Sequence, residues 1–199
     1  MGLSFTKAAN GDETAPLGAI GVLEVELEWE QPQEGRGFMG KLKSRMNETD
    51  VDVAGILFEG EEAVDYVDPK QHPSALGGYV VHHGDVRKGQ GEGGGECISM
   101  RLADIREVDG DITAIALTAS CPKGDFSKVA GAVCRMYDAS NGTRQHLGNV
   151  RFAVTGEHTG ALLGVVRKTP DGWVFAKTKQ YGAAGNWRQL AGLARGRVS

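Results

Sequence analysis

Cysteine, proline and long apolar runs are all scarce in this 199-residue chain, and each scarcity removes a class of protein. Three cysteines, Cys97, Cys121 and Cys134, show no C-x-x-C spacing. They are too few and too scattered for a disulfide scaffold or a zinc site, and read as small buried residues in a reducing compartment. No apolar run approaches the roughly 20 residues of a membrane-spanning helix. Residues 1–12 hold one lysine and no apolar stretch of the secretory type, so a cytoplasmic location is expected. Positive charge is limited as well. Lys and Arg number 22 against 26 Asp and Glu, a net charge of −4 that leaves no electrostatic footprint for nucleic acid. The tail residues Arg188, Arg195 and Arg197 are too thin a cluster to change that, and the sign suits calcium or a basic partner better. Ser99, Ser120 and Ser127 sit in no G-x-S-x-G elbow, so the commonest local signature of a serine nucleophile is missing.

Glycine, in contrast, is abundant: 30 residues against six prolines, the balance expected of many tight turns between short strands. Leu23, Val25, Leu27 and Trp29 alternate with Glu24, Glu26, Glu28 and Glu30, the period of a half-buried strand with one wet face. Further strands are expected over residues 50–58, 64–67, 78–82, 97–102, 112–120, 132–137, 150–154, 161–167 and 173–178. The stretch 112–120 is apolar throughout, as in a sandwich core. Asn141-Gly142 and Pro170-Asp171-Gly172 are turn signals with a clear mechanism. Asn186 is placed to cap one late helix carrying Trp187, Leu190 and Leu193/Ala194. The pattern predicts an all-β, antiparallel two-sheet β-sandwich with a few short helices, one near the C-terminus. Residues 1–17 are expected as a loosely ordered arm with at most one edge strand, and 18–199 as a single domain.

The richest stretch is the loop over residues 83–96, which packs six glycines with Asp85, Glu92 and Glu96. Its Gly89, Gly91 and Gly94 match G-x-G-x-x-G formally. A dinucleotide site needs a helix N-terminus just after the glycines, however, and residues 97–102 alternate like a strand. Glu92 and Glu96 would also repel phosphate. Carboxylates point instead to a hard cation. Calcium takes six to eight oxygens, so neighbouring strands must contribute. Asp50 and Asp52 lie on one strand face, about 7 Å apart, and Asp68 ends another strand. On composition alone such acids are ordinary solvated turn and edge residues. His82 and His83 are adjacent and so point to opposite faces of a strand, which argues against one shared transition metal. A hydrolase assembled in space around His82, His83 and Cys121 is the alternative function class.

Taken in order along the chain, these segments resemble the TerD-like tellurium-resistance and bacterial stress protein family. Residues 83–96 are similar to its calcium loop, G-D-N-x-T-G-x-G-x-G-D-D-E. Leu27-Glu28-Trp29 resembles its L-x-W strand end, Asp50-Val51-Asp52 its D-L-D, Asp65-Tyr66-Val67-Asp68 its F-x-Y-N, and Phe126-Ser127-Lys128-Val129 its F-G-Q-V. Glu157 and residues 162–173 resemble the late G-E-L-Y-R-H-x-x-x-W-K-F region. The resemblance implies a β-sandwich and a non-enzymatic binding or scaffolding module in stress or tellurite resistance. It also implies partners among other Ter-family or stress-response proteins, and peripheral association with membrane complexes. Its ion set would map to Asp50, Asp52, Asp68, Asp85, Glu92 and Glu96. Departures from the signature are specific. Gly94-Gly95 stand where two aspartates are expected, Val86 replaces Asn, Lys88 replaces Thr, and Ala54 replaces a serine. Two lost carboxylates imply that calcium is held weakly, at no more than one site, or not at all.

Overall fold

The computed structural model describes residues 2–7, 12–30, 51–85, 95–108, 111–129, 131–152 and 156–199. Among them the strands are β1 (Thr6–Lys7), β2 (Glu13–Pro16), β3 (Leu23–Glu30), β4 (Asp52–Glu59), β5 (Glu62–Val67), β6 (Ser74–Ala75), β7 (Val80–Asp85), β8 (Gly95–Met100), β9 (Ala114–Ser120), β10 (Gly131–Asp138), β11 (Gln145–Phe152), β12 (Gly160–Thr169) and β13 (Gly172–Gly182). Two short helices accompany them, α1 (Leu102–Val108) and α2 (Trp187–Ala194).

The strands form two antiparallel sheets. The first runs β1-β2-β13-β12-β9-β4-β5 and the second β11-β10-β3-β8-β7-β6. This is the expected sandwich. The alternation in β3 decides its orientation: Leu23, Val25 and Leu27 are buried between the sheets, while Glu24, Glu26 and Glu28 lie on the outer face. Ile98 and Met100 of β8 meet Ile115 and Leu117 of β9 in the same core.

The centre of the first sheet is buried on both sides. Ile56, Phe58, Ala114, Ala116, Leu162 and Val165 form a second apolar cluster on its outer face, under Leu190, Ala191 and Ala194 of α2. That explains why β4 and β9 read as continuous apolar runs rather than alternating ones. The Asn186 side chain accepts a hydrogen bond from the Gln189 N–H and caps α2, as expected. Hairpins close at the anticipated turns, with Gly142 and Gly172 in the left-handed region (φ 73° and 117°) that only glycine occupies without strain.

One local feature differs from the sequence reading. The strand expected over 97–102 ends at Met100, and Leu102 opens a helix. Leu102 and Ile105 are fully buried one helical turn apart, and the Trp173 indole N–H donates to the Leu102 carbonyl (3.1 Å). In the N-terminal stretch β2 pairs with β13, and Ala15 and Leu17 are buried. Among the described residues no helix is long and apolar enough to cross a membrane.

Candidate functional site

Antiparallel pairing brings the start of β4, the end of β5, the end of β7 and the start of β8 to one end of the sandwich. The expected ion residues belong to this end. Asp50 and Glu92 lie outside the described residues, as does the side chain of Asp85, whose backbone ends β7 in register with Glu96. Asp52, Asp68 and Glu96 are described, and each is engaged by the protein's own donors.

Asp52 opens β4 and is clasped by the Lys70 ammonium, 2.8 Å from Oδ1 and 2.6 Å from Oδ2. Asp68 follows β5. Its Oδ1 accepts the backbone N–H groups of Lys70 (2.9 Å), Gln71 (2.6 Å) and His72 (3.0 Å). Burial alone would push this carboxyl up, but those amides, with the nearby His82, hold it below the usual carboxylate range.

Glu96 is in phase with Ile98 and Met100 and therefore faces the interior, 2% exposed. Its Oε2 accepts the N–H of Val53 from the opposite sheet. The same oxygen lies 3.5 Å from Nε2 of the buried His82. Burial raises the Glu96 carboxyl above its ordinary value, against the lowering effect of His82 and Val53. His82 Nδ1 accepts the Gly84 N–H at 2.9 Å, which assigns the ring proton to Nε2, an atom buried without a hydrogen-bond partner among the described residues. That leaves Nε2 no lone pair for a transition metal. Gly84 itself needs its positive φ of 74° to bulge β7 into the glycine loop.

Calcium requires several oxygens turned toward one point. The described carboxylates instead turn toward an ammonium, an imidazole and backbone amides, and among the described residues no three acidic, His or Cys side chains form a metal-holding group. Asp52, Asp68 and Glu96, the described part of the expected donor set, do not form a tight divalent site by themselves.

Of the alternative hydrolase residues, two lie in the interior and one at the surface. His82 is buried, whereas His83 is exposed and bonds Ser99 Oγ (2.8 Å) on the outer face of the second sheet. Cys121 is buried in the sandwich core. Burial pushes the Cys97 and Cys134 thiols up to about 12, the wrong direction for a nucleophile. All three cysteines are therefore expected to resist iodoacetamide in the folded protein and to react once denatured. Rapid stoichiometric labelling of the native state, read by mass spectrometry, would contradict that burial.

Lys70 is the residue that sequence reasoning missed. The only hint was its position two residues after an Asx-turn aspartate followed by proline. It lines a cavity of about 290 Å³ between this end of the first sheet and α2, together with Asp52, Tyr66, Ser120, Asn186 and Trp187. Tyr66 stacks on Trp187 there, with ring centroids 4.9 Å apart and an interplanar angle of 14°.

Comparison with known proteins points in one direction. The TerD domain family matches residues 1–195. The tellurium resistance protein TerZ of Serratia marcescens is 27% identical over 159 residues, which span 79% of this chain and 78% of that protein. Among solved structures, a homologue of telluride resistance protein (TerD), SCO6318 from Streptomyces coelicolor A3(2), superposes with a TM-score of 0.61 at 15% identity. It covers 91% of this chain and 99% of its own. A protein of unknown function, SAV2460, gives a TM-score of 0.58 at 17% identity over 90% and 98% of the two chains. At those identities the two structures speak for the fold alone.

Proposed function

Because the chain belongs to the TerD domain family, we propose that it is a non-enzymatic tellurite- and stress-resistance protein, a cytoplasmic binding or scaffolding module whose calcium site is degenerate. The observation that carries this reading is the family match along nearly the whole chain, with a tellurium resistance protein among its relatives. Calcium is held weakly or not at all: Asp52, Asp68 and Glu96 are already compensated by Lys70, backbone amides and His82. Any remaining affinity would draw on Asp50, Asp85 and Glu92 as well. Partners are other Ter-family or stress-response proteins, with peripheral attachment to membrane complexes.

Deleting the gene in its own host is expected to lower survival on tellurite, and the intact gene to restore it. A double variant, His83→Ala with Cys121→Ser, is expected to restore it equally well, because it removes only the groups an alternative hydrolase would use. Unchanged survival of the deletion strain would overturn the resistance reading. Failure of the folded double variant to complement would overturn the non-enzymatic one.

A further inference from the structure

We propose that the Lys70 ammonium is the resident cation of this end of the sandwich, held in front of Asp52 where a divalent ion would otherwise sit. The inference rests on the reading of a degenerate calcium site and adds the group that replaces the ion.

Three observations carry it. The turn that delivers Lys70 is fixed at both ends: the Asp68 N–H donates to the His72 carbonyl (2.9 Å), and Asp68 Oδ1 gathers the N–H groups of residues 70–72. Pro69 within it has its φ fixed by its ring, so the Lys70 backbone is placed before its side chain is. From that position Nζ reaches both oxygens of Asp52, which sits on the other strand of the β4–β5 hairpin. A bidentate calcium contact would need those same two oxygens. Finally, Lys70 is 58% exposed but Asp52 only 17%, so the carboxylate is shielded by protein while the ammonium reaches in from solvent.

A tethered ammonium competes with a dissolved ion at high effective concentration. It also repels what it does not exclude. A divalent ion about 5 Å from a unit positive charge loses about tenfold in affinity even in a water-like dielectric. Asp52 is thus neutralised from within, and its placement does not depend on free calcium.

The test compares the full chain with Lys70→Met and Lys70→Arg, using calcium chloride against a chelator, by calorimetric titration and thermal melting. Lys70→Met is expected to melt lower than wild type in chelator, to bind calcium about tenfold or more tightly than wild type, and to regain its midpoint as calcium rises. Lys70→Arg keeps the charge and is expected to behave as wild type. Should Lys70→Met fold poorly, Lys70→Gln repeats the comparison with an equally neutral side chain. Equal calcium response in the neutral variant and wild type, including no response in either, overturns the inference, as does an arginine variant that responds like the methionine one. Two tight calcium sites in the wild-type protein would overturn the degenerate-site reading instead. The wild-type affinity and the variant-to-wild-type ratio therefore report on the two ideas separately.

Discussion

Replacing Glu96 with alanine is expected to destabilise the protein by about 2–4 kcal/mol, seen as a fall in midpoint of roughly 5–15 °C for a chain of this size. One oxygen, Oε2, accepts the Val53 N–H of the facing sheet and lies 3.5 Å from the buried Nε2 of His82. Alanine leaves the Val53 N–H buried without an acceptor and removes the carboxylate beside His82, whose Nδ1 is held by the Gly84 N–H. Glutamine is the informative control. Its amide oxygen can take the same place and accept the Val53 N–H without carrying charge, so Glu96→Gln is expected to stay within about 1 kcal/mol of wild type near neutral pH. The two should also differ in pH dependence. The raised Glu96 carboxyl means that the native state binds more protons than the unfolded state just above the ordinary glutamate range. Stability from this group therefore falls as pH rises through that window. Glutamine lacks the slope and should gain on wild type from acid toward neutral. Urea denaturation at both pH values measures it, and an alanine variant as stable as the glutamine one would refute the bridging role.

That bridge also marks how far the sequence could be read. The period-two placement of Glu96 with Ile98 and Met100 already implies an inward carboxylate, because side-chain direction in a strand follows from spacing alone. Its acceptor role was not legible, since Val53 lies 43 residues away and on the other sheet. The same division holds in β3. The alternation of Leu23, Val25 and Leu27 with glutamates gave the buried face. The arginines that neutralise the wet face, Arg144 against Glu24 and Glu26 and Arg135 against Glu28, come from the β10–β11 hairpin. Helix α1 escaped notice for a related reason. Ile98, Met100 and Leu102 continue one alternating pattern, yet the strand gives way at Leu102 to a helix, and the Leu102 carbonyl accepts the Trp173 indole N–H. In α2 the decisive signal was local, an asparagine cap before an apolar stripe, and it was legible.

Restoring the carboxylate that the family signature places at position 95 is expected to damage the fold instead of rebuilding an ion site. Gly95 is paired with Glu28 across β8 and β3. A Cβ there would stand 2.7 Å from the Leu27 carbonyl oxygen, 3.2 Å from Glu28 Cγ and 3.4 Å from Glu26 Cγ. The first contact is to backbone and cannot be relieved by a rotamer change, so the sheet itself would have to open. Gly95→Ala isolates this steric cost, about 1–3 kcal/mol. Gly95→Asp adds a negative charge beside Glu26 and Glu28, whose arginine partners are already engaged, and like charges on facing strands are unfavourable. The aspartate variant is expected to lose about 1 kcal/mol beyond alanine, and that increment should shrink in high salt as the exposed charges are screened. Neither variant should gain calcium affinity, because the Lys70 ammonium still covers Asp52. The measurement is thermal melting of wild type and both variants at low and high salt, with and without calcium. A Gly95→Asp protein that melts above wild type in calcium would mean that β8 can withdraw from β3 and that the glycine is an accident of sequence drift. A loss shared by both substitutions, deeper for aspartate and indifferent to calcium, would mean that the glycine is fixed by the close approach of the strands, and that one substitution cannot place a carboxylate there.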